Sequence, residues 1–392
     1  MMNIFLLLSL VFIFTFLIGK LVEKIKVPWI FAALLLGFLL AIYNPFSSIT
    51  SSSTFEFLAQ LGMYFLLFVI GFELDLRELK RQTRFIAKAT FFIIMFEALF
   101  GTLIVHYVFG ANWLISLAVA ISFATVGEAI LIPILDEFGL VKRKFGQTII
   151  GIGTLDDLIE VFILILVIFI IGSASSLTHI DITITLASLL FLFGLAFSLT
   201  KLSREGSKFS AISIESLFVF VLFIFFLFLA VGEYAYATAV AALLSGIALK
   251  TFIPKKRLKM IESEIRTMCY GFFAPIFFVW VGLSMDINYL FSYPLLILLV
   301  VGVSNTVKII GSYLVGRKEL GTRKSILLGI GLSVRFSTSL IIIKILFDTH
   351  LIGSDLYSVI VASSIVFKFI IPLLFSNLLA RWNITDTTKK KI

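Results

Sequence analysis

The sequence predicts an all-α polytopic membrane protein, and three observations carry that prediction. Mean hydropathy is +1.13, with 60% hydrophobic and 14% charged residues, far from the composition of a soluble domain of 392 residues. Apolar runs of about 20 residues, enough to cross roughly 30 Å of hydrocarbon as helix, recur along the chain with short connections between them. Basic residues collect in every second connection, which together hold 28 of the 32 Lys and Arg.

Thirteen spans follow in order. The first, 3–19, has no basic segment ahead of it and no small-residue cleavage site behind it, so it is expected to be retained rather than removed as a signal peptide. Lys20, Lys24 and Lys26 close it. Spans 27–43 and 55–72 come next, then a strongly basic connection. Spans 84–107, 112–136 and 145–171 form one group of three. Span 182–200 links the two halves, and spans 212–231 and 234–249 are separated only by Val231 to Glu233. A connection rich in bases leads to span 268–285, and spans 295–316, 323–347 and 355–380 form the second group of three. No soluble domain is expected at either end. By the positive-inside rule the protein is multi-pass in the plasma or inner membrane, with the N-terminus outside and the C-terminus cytoplasmic, an arrangement that itself requires an odd number of spans.

Several function classes drop out. The lone Cys269 excludes a disulfide framework and a cysteine metal site, leaving a packing role. His106, His179 and His350 lie in or beside connections, so no buried histidine site is expected. A net charge of +9 here reports loop orientation and not nucleic-acid binding.

Charges inside the spans are the exception to this pattern, and a charge near a bilayer centre costs at least a few kcal/mol. Spans four to six carry only acids at mid-span: Glu97, Glu128, then Asp156, Asp157 and Glu160. Spans eleven to thirteen carry bases there: Lys308, Arg335 and Lys368. Lys344 lies near an outer helix end and is expected to snorkel. Two six-span halves on either side of span seven enter the membrane from opposite sides, which predicts an inverted repeat with its substrate site at the midplane.

Adjacent on one helix, Asp156 and Asp157 are about 100° apart yet close enough for coupled titration. Their oxygens suit a small hard cation such as Na⁺ or Li⁺ as well as protons. The alternative is a structural pair beside a kink near Gly151 and Gly153. Lys308, in a segment with Ser304, Asn305 and Thr306 that favours close helix contact, can pair with either aspartate or serve in a structural ion pair. Glu128, in F-A-T-V-G-E-A-I, and Arg335, in G-I-G-L-S-V-R-F-S-T-S, read as compensating charges for discontinuous helices in spans five and twelve. Glu97 and Lys368 are expected to hold helices together. Glu160, at i+4 from Asp156 and i+3 from Asp157, fits a supporting proton acceptor or a salt-bridge partner equally well. Five acids against three bases leave two negative charges, which two protons neutralise and one monovalent cation does not.

At these residues the chain resembles the monovalent cation:proton antiporters, in the second branch that includes NapA-type, GerN and Kef transmembrane proteins. The matching stretches are L-A-Q-L-G-M-Y-F-L-L-F-V-I-G-F-E-L (58–74), F-G-Q-T-I-I-G-I-G-T-L-D-D-L (145–158), F-F-A-P-I-F-F-V-W-V-G-L-S-M-D (272–286) and the lysine of span eleven. The resemblance implies thirteen helices divided into a dimerisation side and a moving core. Helices one to three (1–82) and eight to ten (206–290) are then dimerisation-side, and helices four to six (83–172) and eleven to thirteen (291–380) form the core. Helix seven (173–205) is the linker and 381–392 a cytoplasmic tail. It further implies that Asp157 is the principal ion ligand, that Asp156 pairs with Lys308 when no ion is bound, and that Thr125 joins Asp157 and Asp156 at Na⁺. The implied activity is electrogenic exchange of Na⁺ or Li⁺ for H⁺ by an elevator-type homodimer with no cofactor. Glu160, and Phe336 and Ser337 after Arg335, depart from the family pattern. The regulatory nucleotide-binding domain of Kef proteins is not expected here.

Exchange of K⁺ or NH₄⁺ on the same fold is the nearest alternative. A symporter for organic anions needs an anion-binding cluster where only Arg335 stands. An intramembrane aspartyl protease needs aspartates from two separate helices, and no other span offers one at mid-membrane.

Overall fold

A computed structural model describes residues 3–24, 27–73, 83–126, 128–174, 182–201, 213–234, 237–253, 255–334 and 337–384, and all regular structure among them is helical. This is the outcome expected where the solvent offers backbone groups no partner. The helices are α1 (Ile4–Glu23), α2 (Phe31–Ile42), α3 (Ser47–Thr50), α4 (Ser53–Glu73), α5 (Arg84–Phe109), α6 (Trp113–Ala124), α7 (Glu128–Glu137), α8 (Lys144–Ala174) and α9 (Ile182–Lys201). There follow α10 (Ile214–Tyr234), α11 (Thr238–Phe252), α12 (Lys255–Met268), α13 (Ala274–Leu283), α14 (Ile287–Ser292), α15 (Pro294–Leu320), α16 (Thr322–Leu332), α17 (Ser337–Asp348) and α18 (Ser354–Arg381). Among the described residues, seven helices are long and apolar enough to cross a membrane.

Boundaries follow local chemistry. Thr83 and Asn112 cap α5 and α6 by accepting the N–H groups of Ile86 and Ile115, and Asp286 caps α14 through Tyr289. Gly110 closes α5 in the left-handed conformation, at φ 70°. The largest difference from the sequence reading precedes span ten, where the connection rich in bases is itself helix. There α12 passes through a π turn, Cys269–Phe273, directly into α13. Ile261, Ile265 and Cys269 recur every four residues and are buried, while Glu262 and Arg266 pair on the polar side at 3.7 Å, so the bases ride on an amphipathic helix.

The chain divides into two compact units. The first comprises Met1–Phe12, Pro45–Leu74 and Leu164–Trp280. Its centre is the contact of α4 with α11, where a side chain on Gly246 would overlap the Phe68 carbonyl, so only glycine permits this approach. Phe65 stacks between Phe225 and Phe273 at centroid distances of 4.4 and 4.5 Å.

The second unit comprises Ile13–Asn44, Asp75–Ile163 and Val281–Ile392. In it α15 packs on α5, α16 and α18, and α5 packs on α6. A Cβ on Gly329 would lie 2.5 Å from Ile309 Cα, which fixes how closely α16 approaches α15. Two stretches that read as single spans are interrupted here, between Ala124 and Glu128 and between Leu332 and Ser337.

Candidate functional site

The interruptions leave helix ends in the interior of the second unit. The last carbonyls of a helix have no partner within it and form the negative end of its dipole. Ala124 ends α6 and Leu332 ends α16, and the buried Lys308 Nζ donates to both carbonyls, at 2.7 and 2.5 Å. One ammonium from α15 thus bridges two broken ends. The complementary charge stands ahead of α7, where Asp156 Oδ2 accepts the N–H of Val126 at 2.5 Å. Asp156 is fully buried on α8. A carboxylate faces the positive start of one half-helix, and an ammonium the negative ends of two others.

A carboxylate of α5 also stands at Lys308: Glu97 Oε2 lies 3.2 Å from Nζ, with side-chain exposures of 4% and 0%. Ser304, one turn before Lys308 on α15, donates its hydroxyl to Glu97 Oε1. The pair therefore ties α5 to α15. A cavity of about 30 Å³ is lined by apolar side chains of α5, α6, α15 and α18 together with Glu97 and Ser304.

Hydroxyls hold the crossing. Thr125 Oγ1 donates to the Ser122 carbonyl at 2.9 Å, which leaves the Ser339 hydroxyl of α17 to donate to Thr125 at 2.7 Å. Ser333, just past α16, shares its one hydroxyl proton between Asn305 Oδ1 at 3.1 Å and the Gly329 carbonyl at 2.9 Å. Thr125 is buried at the end of α6 with an extended backbone, φ −65° and ψ 158°, which turns its side chain and the following N–H groups away from the helix ladder.

The remaining internal bases sit apart from this cluster. Lys368 Nζ lies 3.9 Å from the Phe31 ring centroid and has no hydrogen-bond partner among the described residues. Pro372, one turn on, removes the N–H that would have bonded the Lys368 carbonyl. Lys344, expected to snorkel, is instead buried and paired with Asp348 one turn later, near the Phe347 ring. With a carboxylate in reach on the same helix it has no need to extend to water.

Of the residues singled out by sequence, the structure brings together Asp156, Thr125, Lys308 and Glu97 and places Lys368 elsewhere in the same unit. Asp157 and Glu160 lie on α8 and Glu128 begins α7, but their side chains, like Arg335 as a whole, lie outside the described residues. Ser339, Ser122 and the two carbonyls were not singled out. Ser339 had a signal in the interrupted S-T-S stretch; the carbonyls had none.

A family model described as sodium/hydrogen exchanger, transmembrane, matches residues 10–381. A Methanocaldococcus jannaschii protein named "Probable Na(+)/H(+) antiporter 3" is 27% identical over 383 residues, 95% of each chain. The "Na(+)/H(+) antiporter" of Enterococcus hirae is 28% identical over 331 residues, 81% of this chain and 82% of its own. The solved structure of the sodium proton antiporter MjNhaP1 from Methanocaldococcus jannaschii at pH 8 matches with a TM-score of 0.64, covering 96% of this chain and 95% of that one. At 20% identity that likeness speaks to the fold alone.

Proposed function

The chain belongs to the sodium/hydrogen exchanger, transmembrane family, and from that premise we propose that it exchanges Na⁺ or Li⁺ for protons through the helix crossing of its second unit. As a member of that family it is a secondary transporter and not an enzyme, and the ions are its substrates. The observation that carries the site is the charge arrangement at the breaks, with Asp156 at the Val126 N–H and Lys308 on the carbonyls of Ala124 and Leu332.

In this reading Asp156 and Asp157 bind either protons or the cation, and Thr125 adds an oxygen to the cation site. Lys308 competes with the cation for the aspartates, and that competition couples the two fluxes. Glu128 and Arg335 compensate broken helix ends, Lys368 helps hold the core together, and Glu160 supports the pair. The charge count favours two protons per cation, hence electrogenic exchange. The wider frame is thirteen spans in two inverted six-helix repeats, a core that shifts to alternate access, and a homodimer in the plasma membrane. Its N-terminus is outside and its C-terminus cytoplasmic. The relatives named as Na⁺/H⁺ antiporters support sodium over potassium.

The test is proton-linked dequenching in proteoliposomes with Na⁺, Li⁺, K⁺ and NH₄⁺ in turn. Na⁺ and Li⁺ are expected to give signals, and Asp157→Asn to abolish them. Normal Na⁺ transport by Asp157→Asn would overturn the site; signals with K⁺ or NH₄⁺ alone would overturn the selectivity.

A further inference from the structure

Lys308 has more acceptors around it than a lysine serving only the aspartate pair requires. Its ammonium is fully buried, lies 3.2 Å from Glu97 Oε2, and donates to the Ala124 and Leu332 carbonyls. Glu97 comes from α5, while the aspartates lie on α8. Its second oxygen is held by Ser304, on the same helix as Lys308 and one turn before it, so the carboxylate is oriented by the helix that carries its partner. Asp156 meanwhile accepts from Val126.

The geometry points to Glu97 as a second station for Lys308, the carboxylate that holds the lysine in place while the aspartates hold a cation. A cation arriving at Asp156 and Asp157 displaces the lysine from them. An ammonium with no route to water then needs another carboxylate, or the displacement becomes prohibitive. Glu97 and Lys308 together are neutral, so the cation adds no unbalanced charge beside the lysine. Protons exchanged against the cation are then carried by the aspartates. Glu97 touches no substrate; it is a positioning residue acting through Lys308. The inference rests on the antiport reading above.

The test measures KM and Vmax for Na⁺ at one fixed pH with the full chain in proteoliposomes. In Glu97→Gln the lysine has lost its second partner and competes harder for the aspartates, so KM is expected to rise about tenfold, more than Vmax falls. Glu97→Asp is expected to restore most of the loss. In a Lys308→Gln background, adding Glu97→Gln is expected to leave KM where Lys308→Gln alone put it. A wild-type KM in Glu97→Gln, or a further change in the double variant, would overturn the proposal. If Glu97→Gln does not fold, comparing the double variant with Lys308→Gln still decides, since that protein lacks both charges. Failure of the wild type to move protons with Na⁺ would sink the antiport reading, whatever the Glu97 variants do.

Discussion

Lys308→Met removes an ammonium that two carbonyls and a carboxylate share, and its cost can be worked from those contacts. Each carbonyl bond to the ammonium, at 2.7 and 2.5 Å, contributes about 1.5–3 kcal/mol. Leaving Glu97 buried opposite a methionine costs about 3–5 kcal/mol by itself. The contributions overlap, because the same ammonium makes each of these contacts. We therefore expect a net loss of about 4 kcal/mol, or roughly 5 °C in Tm for a chain of this length. Scanning fluorimetry in detergent reads the shift. Adding Glu97→Gln to Lys308→Met removes the stranded carboxylate and should recover about half of the loss. A Lys308→Met protein that melts with the wild type, or a double variant that melts lower still, would refute the reasoning.

Three further outcomes are expected from other contacts of the second unit. Asp156→Asn keeps an oxygen for the Val126 N–H, so stability should change by about 1 kcal/mol or less while proton-linked Na⁺ flux falls at least about tenfold; undiminished flux would show that the charge of Asp156 is not used. Gly329→Val forces a side chain where even a Cβ would stand 2.5 Å from Ile309 Cα, and should cost about 1–3 kcal/mol, with transport reduced because α16 carries the Leu332 carbonyl; unaltered melting and flux would mean that this approach sets nothing. Phe31→Leu withdraws the buried ring lying 3.9 Å from Lys368 Nζ and should lower stability by about 2 kcal/mol, a loss that shrinks to the packing part alone when Lys368 is also methionine; equal losses in both backgrounds would assign the whole effect to packing.

Much of the fold was legible because the bilayer acts as a one-dimensional filter. The helices α1, α4, α5, α8, α10, α15 and α18 follow the apolar runs, and the interruptions after Ala124 and Leu332 fall where Gly, Ser and Thr break those runs. The bases of Lys255–Met268 were misplaced in a connection because charge density masked the four-residue spacing of Ile261, Ile265 and Cys269. Glu97 offered a partial signal: in the sequence reading it is the acid of the span paired with that of Lys308. Equal depth alone could not separate it from Asp156 and Asp157, whose spans hold their charges at a similar level.

The sequence by itself determined that this chain crosses a membrane many times and that its internal charges are too costly to be incidental. It did so because hydropathy and charge belong to each residue separately and sum along the chain. Tertiary structure alone decided the partners. Whether Lys308 faces Glu97 depends on how α15 is rotated and how closely it approaches α5, and neither rotation nor approach is written in composition or spacing. The carbonyls of Ala124 and Leu332 lie further still from what a sequence can announce. Every residue carries such a group, and only the place where a helix stops makes two of them bind a lysine.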